Sequence, residues 1–325
     1  MLTNEDLKKE IRRMCQEKDA IILAHYYTIG DIQDIADFVG DSLALARKAA
    51  ETDAKIMVMC GVHFMAETCK LLSPDKMVLC PDLNAGCSLA DSCKAEDLKK
   101  FKKEHPGYQV ISYVNTTAAV KALTDVVVTS GNAKKVVDQL PKDAKLIFGP
   151  DYNLGNYINE ITGRDMLLWN GGCHVHERFS VEKIIELKKQ YPEAIVMAHL
   201  ECKSPVLAAA DVKGSTATML SFAQQSDKKQ FIVATEAGIL HEMQRTCPDK
   251  EFIPVPPEIS ERLQVGEQSS GMSGLECSCN ECQYMKMNTL EKVYNCLKNE
   301  SPQIEIDAKI AKKAVKPIER MLELS

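Results

Sequence analysis

The stretch Ile21-Ile22-Leu23-Ala24-His25-Tyr26-Tyr27 is an apolar run ending in polar aromatics, and it recurs twice downstream. Val110-Ile111-Ser112-Tyr113-Val114-Asn115 is the second copy, and Ile195-Val196-Met197-Ala198-His199-Leu200-Glu201 is the third. His25 to Tyr113 is 88 residues, and Tyr113 to His199 is 86. The same offsets relate Ser42, Ser130 and Thr216, and again Gly61, Gly149 and Thr235, each of which follows an apolar run. Cys87 and Cys173, also 86 apart, close the first two copies, and the cluster Cys277, Cys279, Cys282 closes the third. A self-similar period is read before anything else, because it sets the architecture. Three such units around one centre would each bring a polar turn, a hydroxyl and a thiol to a single site.

Within each copy, short Val/Ile/Leu-rich runs alternate with helical patterns. This is the signature of βαβ units and buried parallel strands. The expected fold class is α/β, with three homologous αβα sandwiches. The expected division is 1–86 plus 283–325, then 87–172, then 173–282. Thr3 is the expected N-cap of a first helix, with Asp6 in the capping-box position. Two helices are predicted in the tail, about 285–299 and 306–324, packed back on the first unit. Glu258–Gly274 reads as a linker or mobile loop.

The 325 residues carry a net charge of −6, with 45% hydrophobic and 26% charged residues, and only short basic runs such as Lys99-Lys100-Phe101-Lys102-Lys103. That balance argues against nucleic-acid or membrane-surface binding. No run approaches the roughly 20 apolar residues of a spanning helix. The opening segment is polar and amphipathic rather than a secretory signal, so a cytoplasmic location is expected. Thirteen cysteines then point to metal or redox chemistry rather than to a disulfide framework.

Ligands of parallel α/β sheets bind beyond the carboxyl ends of the strands. His25/Tyr27, Tyr113/Asn115 and His199/Glu201 sit there, each pair spaced i, i+2 and so on one face of an extended chain. Ser42, Ser130, Ser215 and Thr216 fall at predicted helix N-termini. Capping alone would account for Ser or Thr there, and the same geometry offers N–H groups to an anion. Three thiols, Cys87, Cys173 and one of the last group, suit a [4Fe–4S] cluster with one iron open as a Lewis acid. A structural zinc site built from the C-x-C-x-x-C group is the other metal reading.

The chain resembles the quinolinate synthase family over essentially its full length. The resemblance rests on His25-Tyr26-Tyr27, Gly40-Asp41-Ser42, Ala85 to Asp91, Tyr113 to Thr117, Thr129 to Ala133, Gly172-Cys173, His199 to Cys202, Gly214-Ser215-Thr216 and Cys282 to Asn288. It implies three αβα domains about a pseudo-threefold axis and a central [4Fe–4S] cluster on Cys87, Cys173 and Cys282. It implies condensation of iminoaspartate with dihydroxyacetone phosphate to quinolinate, in NAD biosynthesis, with an aspartate-oxidising enzyme supplying the imine. Substrate contacts carry over to His25, Ser42, Tyr113, Asn115, Ser130, His199, Glu201, Ser215 and Thr216, and Tyr27 matches the tyrosine of the family's H-x-Y. Glu201 is the expected general base, with His25, Tyr27 and Tyr113 in proton transfer. Where many relatives have C-x-x-C-x-x-C, this chain has C-x-C-x-x-C. The competing functions are another [4Fe–4S] dehydratase acting on a polycarboxylate, a non-catalytic iron–sulfur sensor and a zinc-stabilised binding module.

Overall fold

Runs of branched apolar side chains become the central strands of three sheets in the computed structural model, which describes residues 2–257 and 280–325. The first unit contains α1 (Asn4–Lys18), β1 (Ala20–His25), α2 (Gly30–Ile35), β2 (Phe38–Gly40), α3 (Ser42–Glu51), β3 (Ile56–Cys60), α4 (His63–Leu72) and β4 (Met77–Leu79). The second runs α5 (Ser88–Ser92), α6 (Ala95–Glu104), β5 (Gln109–Tyr113), α7 (Ala118–Lys121), β6 (Val126–Val128), α8 (Ala133–Gln139), β7 (Leu146–Gly149), α9 (Tyr152–Thr162) and β8 (Leu167–Leu168). The third runs α10 (Val181–Gln190), β9 (Ile195–His199), α11 (Ser204–Ala209), β10 (Val212–Gly214), α12 (Thr216–Gln225), β11 (Gln230–Ala234), α13 (Ile239–Thr246) and β12 (Glu251–Pro254). The tail holds α14 (Leu290–Asn299) and α15 (Ala308–Leu324).

Among the described residues the strands form three four-stranded parallel sheets of one topology: β2-β1-β3-β4, β6-β5-β7-β8 and β10-β9-β11-β12. The fold is therefore α/β with three αβα units, as the repeat requires. The middle strands are buried along nearly their whole length, because helices cover both faces.

A repeated carboxylate fixes each sheet's first crossover. Asp37, Asp125 and Asp211 accept from the N–H of Ile22, Val110 and Val196 at 2.7, 2.7 and 2.8 Å. Their own N–H groups donate to the carbonyls of the same three residues, each at 2.9 Å. Asp37, Asp125 and Asp211 keep the offsets of the sequence repeat.

Thr3 caps α1 with Asp6 in a complete capping box, as read from the sequence. The tail departs from the expectation. Helix α14 lies on α1 and β3 of the first unit, but α15 packs on α7 and β6 of the second, with α4 beside it. Ala314, Ile318 and Met321 of α15 enter a core shared by the first and second units, so the amphipathic face of α15 joins two units instead of capping one. The expected linker Glu258–Gly274, with Cys277 and Cys279, lies outside the described residues.

Candidate active site

The first strands β1, β5 and β9 deliver their C-terminal residues to one cavity between the units. His25, Tyr27, Tyr113, Asn115, His199 and Glu201 all line it. Ser42, Ser130 and Thr216 line it as well. Ser42 opens α3, whose N-cap is Asp41, and Thr216 opens α12, whose N-cap is Ser215. Ser130 lies on the turn before α8, where Asn132 Oδ1 accepts from the N–H of Thr129 at 2.6 Å. Ser215 is placed differently from Thr216. Its Oγ accepts from the N–H of Thr218 at 3.2 Å, and it is not among the residues that line the cavity.

The three thiols meet here too. Cys87 precedes α5, Cys173 follows β8, and Cys282 lies near the start of the described C-terminal segment. All three are free, half-buried and on the cavity wall. Phe64, Met65, Met285, Val62 and Val175 supply an apolar lining. Burial pushes the thiols up, Cys87 to about 12 and Cys282 to about 11, and raises Cys173 well above the usual thiol value. Thiols in such a lining stay protonated unless a metal's charge stabilises the thiolates. Cys173, His176 and Glu201 also place ligand atoms within 4.8 Å of one another, a set able to hold a metal ion. The remaining described cysteines, among them Cys93, Cys202 and Cys247, are buried away from the cavity.

Glu201 is the electrostatic centre. It accepts from the Tyr113 hydroxyl at 2.5 Å, and its second oxygen is 3.1 Å from His176 Nδ1, off the ring's hydrogen-bonding direction. Burial favours the neutral acid, but His176, His199 and Tyr113 together outweigh it and hold the carboxyl well below the usual range. Glu201 is therefore ionised. Burial chiefly drives His199 down to about 4 and His25 to about 3, so both are neutral imidazoles near pH 7. Burial, with Glu201 adding to it, raises the phenols of Tyr27 and Tyr113, which stay protonated.

Sequence reasoning missed two participants. His176 links Glu201 to the first unit: its Nε2 is 3.0 Å from Thr235 Oγ1, which is 2.6 Å from the Tyr27 hydroxyl. Glu236, almost fully buried, accepts from the N–H of Cys282 at 2.9 Å and pairs with Lys286 at 2.8 Å. Neither position is polar in the other two copies. Ala90 corresponds to His176, and Pro150 and Val62 to Glu236, so the repeat gave no signal for them.

The profile of the family described as Quinolinate synthetase A protein matches residues 9–323. A quinolinate synthase of Chloroherpeton thalassium is 52% identical over 324 residues, covering 100% of this chain and 96% of the relative. One from Microcystis aeruginosa is 51% identical over 321 residues, covering 99% and 96%. One from Nostoc punctiforme is 52% identical over 320 residues, covering 98% and 94%. Among the described residues no helix is long and apolar enough to cross a membrane.

Proposed function

The chain belongs to the quinolinate synthetase A family, and we propose that its cavity condenses iminoaspartate with dihydroxyacetone phosphate. Its activity is quinolinate synthesis, a step of NAD biosynthesis. The proposed reaction releases inorganic phosphate and two waters and involves no net redox change. The observation that carries this reading is the convergence on a single cavity of three thiols and of one hydroxyl and one strand-end polar pair from each unit.

The donor set fits a [4Fe–4S] cluster. Cys87, Cys173 and Cys282 would hold it as three thiolates inside an apolar lining. The bound cluster would supply Lewis acidity at its one iron without a protein ligand.

The protein's own groups do the rest. Ser42, with the N–H groups that open α3, and Ser130 receive the carboxylates of the imine. Thr216, at the N-terminus of α12, and His199 receive the phosphate, while Ser215 holds that terminus by capping it. Glu201, ionised and hydrogen-bonded to Tyr113, is placed to take a proton from a carbon next to the triose carbonyl. Tyr27 and Thr235 lead by hydrogen bonds to His176 Nε2, and a turn of the His176 ring, whose Nδ1 stands 3.1 Å from Glu201, completes a path for a proton from the first unit. His25, neutral at its strand end, is a proton acceptor or donor for the dehydration steps.

The test is an anaerobic assay of the purified protein with iminoaspartate and dihydroxyacetone phosphate, measuring quinolinate together with iron and acid-labile sulfide. A protein that holds the cluster and makes no quinolinate would point to the sensor reading instead. A preparation fully active without iron would remove the cluster from the reading.

A further inference from the structure

Asn115 occupies the cavity between two carbonyls that are tied to one buried amine. Lys121, in α7, donates from Nζ to Val114 O at 2.8 Å and to Thr116 O. Its ammonium lies 5.4 Å from the centre of the Phe64 ring, which lines the cavity. The side chain is fully buried, and among the described residues no carboxylate is hydrogen-bonded to it. Asn115 Nδ2 stands 4.0 Å from Cys87 Sγ, and its Oδ1 is buried without a partner.

The first unit repeats the arrangement 88 residues earlier. Gln33, in α2, donates from Nε2 to Tyr26 O at 2.9 Å and to Thr28 O at 2.8 Å, the two carbonyls flanking Tyr27. Gln33 and Lys121, Tyr26 and Val114, and Thr28 and Thr116 are all repeat partners. In the third unit the corresponding residue is Leu207, which cannot donate. There Glu201 O instead accepts from Asn153 Nδ2 at 3.1 Å. The fold thus uses a cation, an amide and an aliphatic residue at one repeated position, and the two donors both hold the turn that presents a cavity residue.

We propose that Gln33 and Lys121 are positioning residues that set the aim of Tyr27 and Asn115 by clamping the carbonyls on either side of each. The inference rests on the reading of the cavity as the quinolinate-forming site. Removing Lys121 frees the turn: Thr116 O loses this donor, and Val114 O keeps only the N–H of Thr116 at 2.7 Å. A displacement near 1 Å at a reacting centre lowers rates by up to about 100-fold.

The experiment uses the full chain, anaerobic and cluster-loaded, and the molecule's own repeats supply the substitutions. Lys121→Met is expected to lower kcat/KM by about 10–100-fold. Lys121→Gln, the solution of the first unit, is expected to restore it to within about threefold of the parent. Asn115→Ala/Lys121→Met should be no worse than about twofold below Asn115→Ala, because the clamp acts through Asn115. Losses that multiply independently in that double variant would overturn the proposal and leave the site assignment standing. Parental activity in Asn115→Ala would overturn both. Should Lys121→Met fail to fold, Gln33→Met with Tyr27→Phe runs the same cycle in the first unit, and independent losses there overturn the proposal equally.

Discussion

The Tyr113 hydroxyl and the Glu201 carboxylate, carried by different sheets, are joined by a 2.5 Å hydrogen bond. The bond places an ionised base beside a protonated phenol at the ends of β5 and β9. Glu201→Gln keeps the volume and the acceptor for Tyr113 but removes the base. Positioned proton transfer contributes about 10²–10⁴-fold, so turnover should fall at least about tenfold with iron content unchanged. Quinolinate formation at the parental rate in this variant would end the assignment of Glu201 as base.

His176 stands between Glu201 and the Thr235–Tyr27 pair. If the path carries a proton, His176→Asn should lower kcat by about tenfold or more and leave KM for dihydroxyacetone phosphate near the parental value. Tyr27→Phe in the same background should add little, because both changes cut one path. A large rise in KM with unchanged kcat would instead make His176 a binding group.

Cys87→Ser replaces a soft thiolate donor with a hydroxyl at the cavity wall. The variant should fold, lose the visible absorption of a [4Fe–4S] cluster after anaerobic reconstitution, and make no quinolinate. A variant that retains four irons and the parental spectrum would exclude Cys87 as a ligand.

The sequence made the repeat legible because β1, β5 and β9 are long enough to show an apolar run, and because their polar ends recur at fixed offsets. The thiols at 87 and 173 followed from the same period. Its reach stopped where the units differ. His176 and Glu236 occupy positions that are apolar or proline in the other copies, so only spatial proximity to Glu201 and Cys282 marks them. The edge strands β2 and β10 are three residues each, too short for a periodic signal, and pairing with β1 and β9 defines them. The amphipathic stripe of α15 was plain, but a stripe does not say which unit it covers.

Stability should fall with acid through the buried histidines. Burial holds His199 near 4 and His25 near 3, whereas an unfolded chain protonates histidine near 6.5. The folded pKa values are depressed, so this contribution is complete above about pH 6.5 and is lost as pH falls towards 4 and then 3. Each histidine adds about 1.4 kcal/mol per pH unit in that window. His199→Gln should therefore flatten the dependence of unfolding free energy on pH between about 5 and 6.5. A variant with the parental slope would show that His199 titrates normally in the folded protein.

Lys286 joins three parts of the site: its Nζ donates to Tyr27 O at 2.9 Å and to Glu236 Oε1 at 2.8 Å, and Glu236 in turn holds the N–H groups of Cys282 and Gly238 at 2.9 and 2.7 Å. Burial raises the Glu236 carboxyl, with Lys286 pulling the other way. Lys286→Met leaves a carboxylate only 1% exposed without its counter-charge. Breaking a buried pair this way costs about 3–5 kcal/mol, and the partial exposure of Lys286 puts the expectation near the lower figure. Glu236→Gln in the same background removes the stranded charge while keeping an acceptor for Cys282, so it should recover about half of the loss or more. Lowering the pH should also narrow the gap between parent and Lys286→Met, because a carboxyl without its cation protonates more readily. Denaturant midpoints of the three proteins measure all of this. If Lys286→Met matched the parent, or if Glu236→Gln deepened its loss, the pair would be a surface contact with no hold on Cys282.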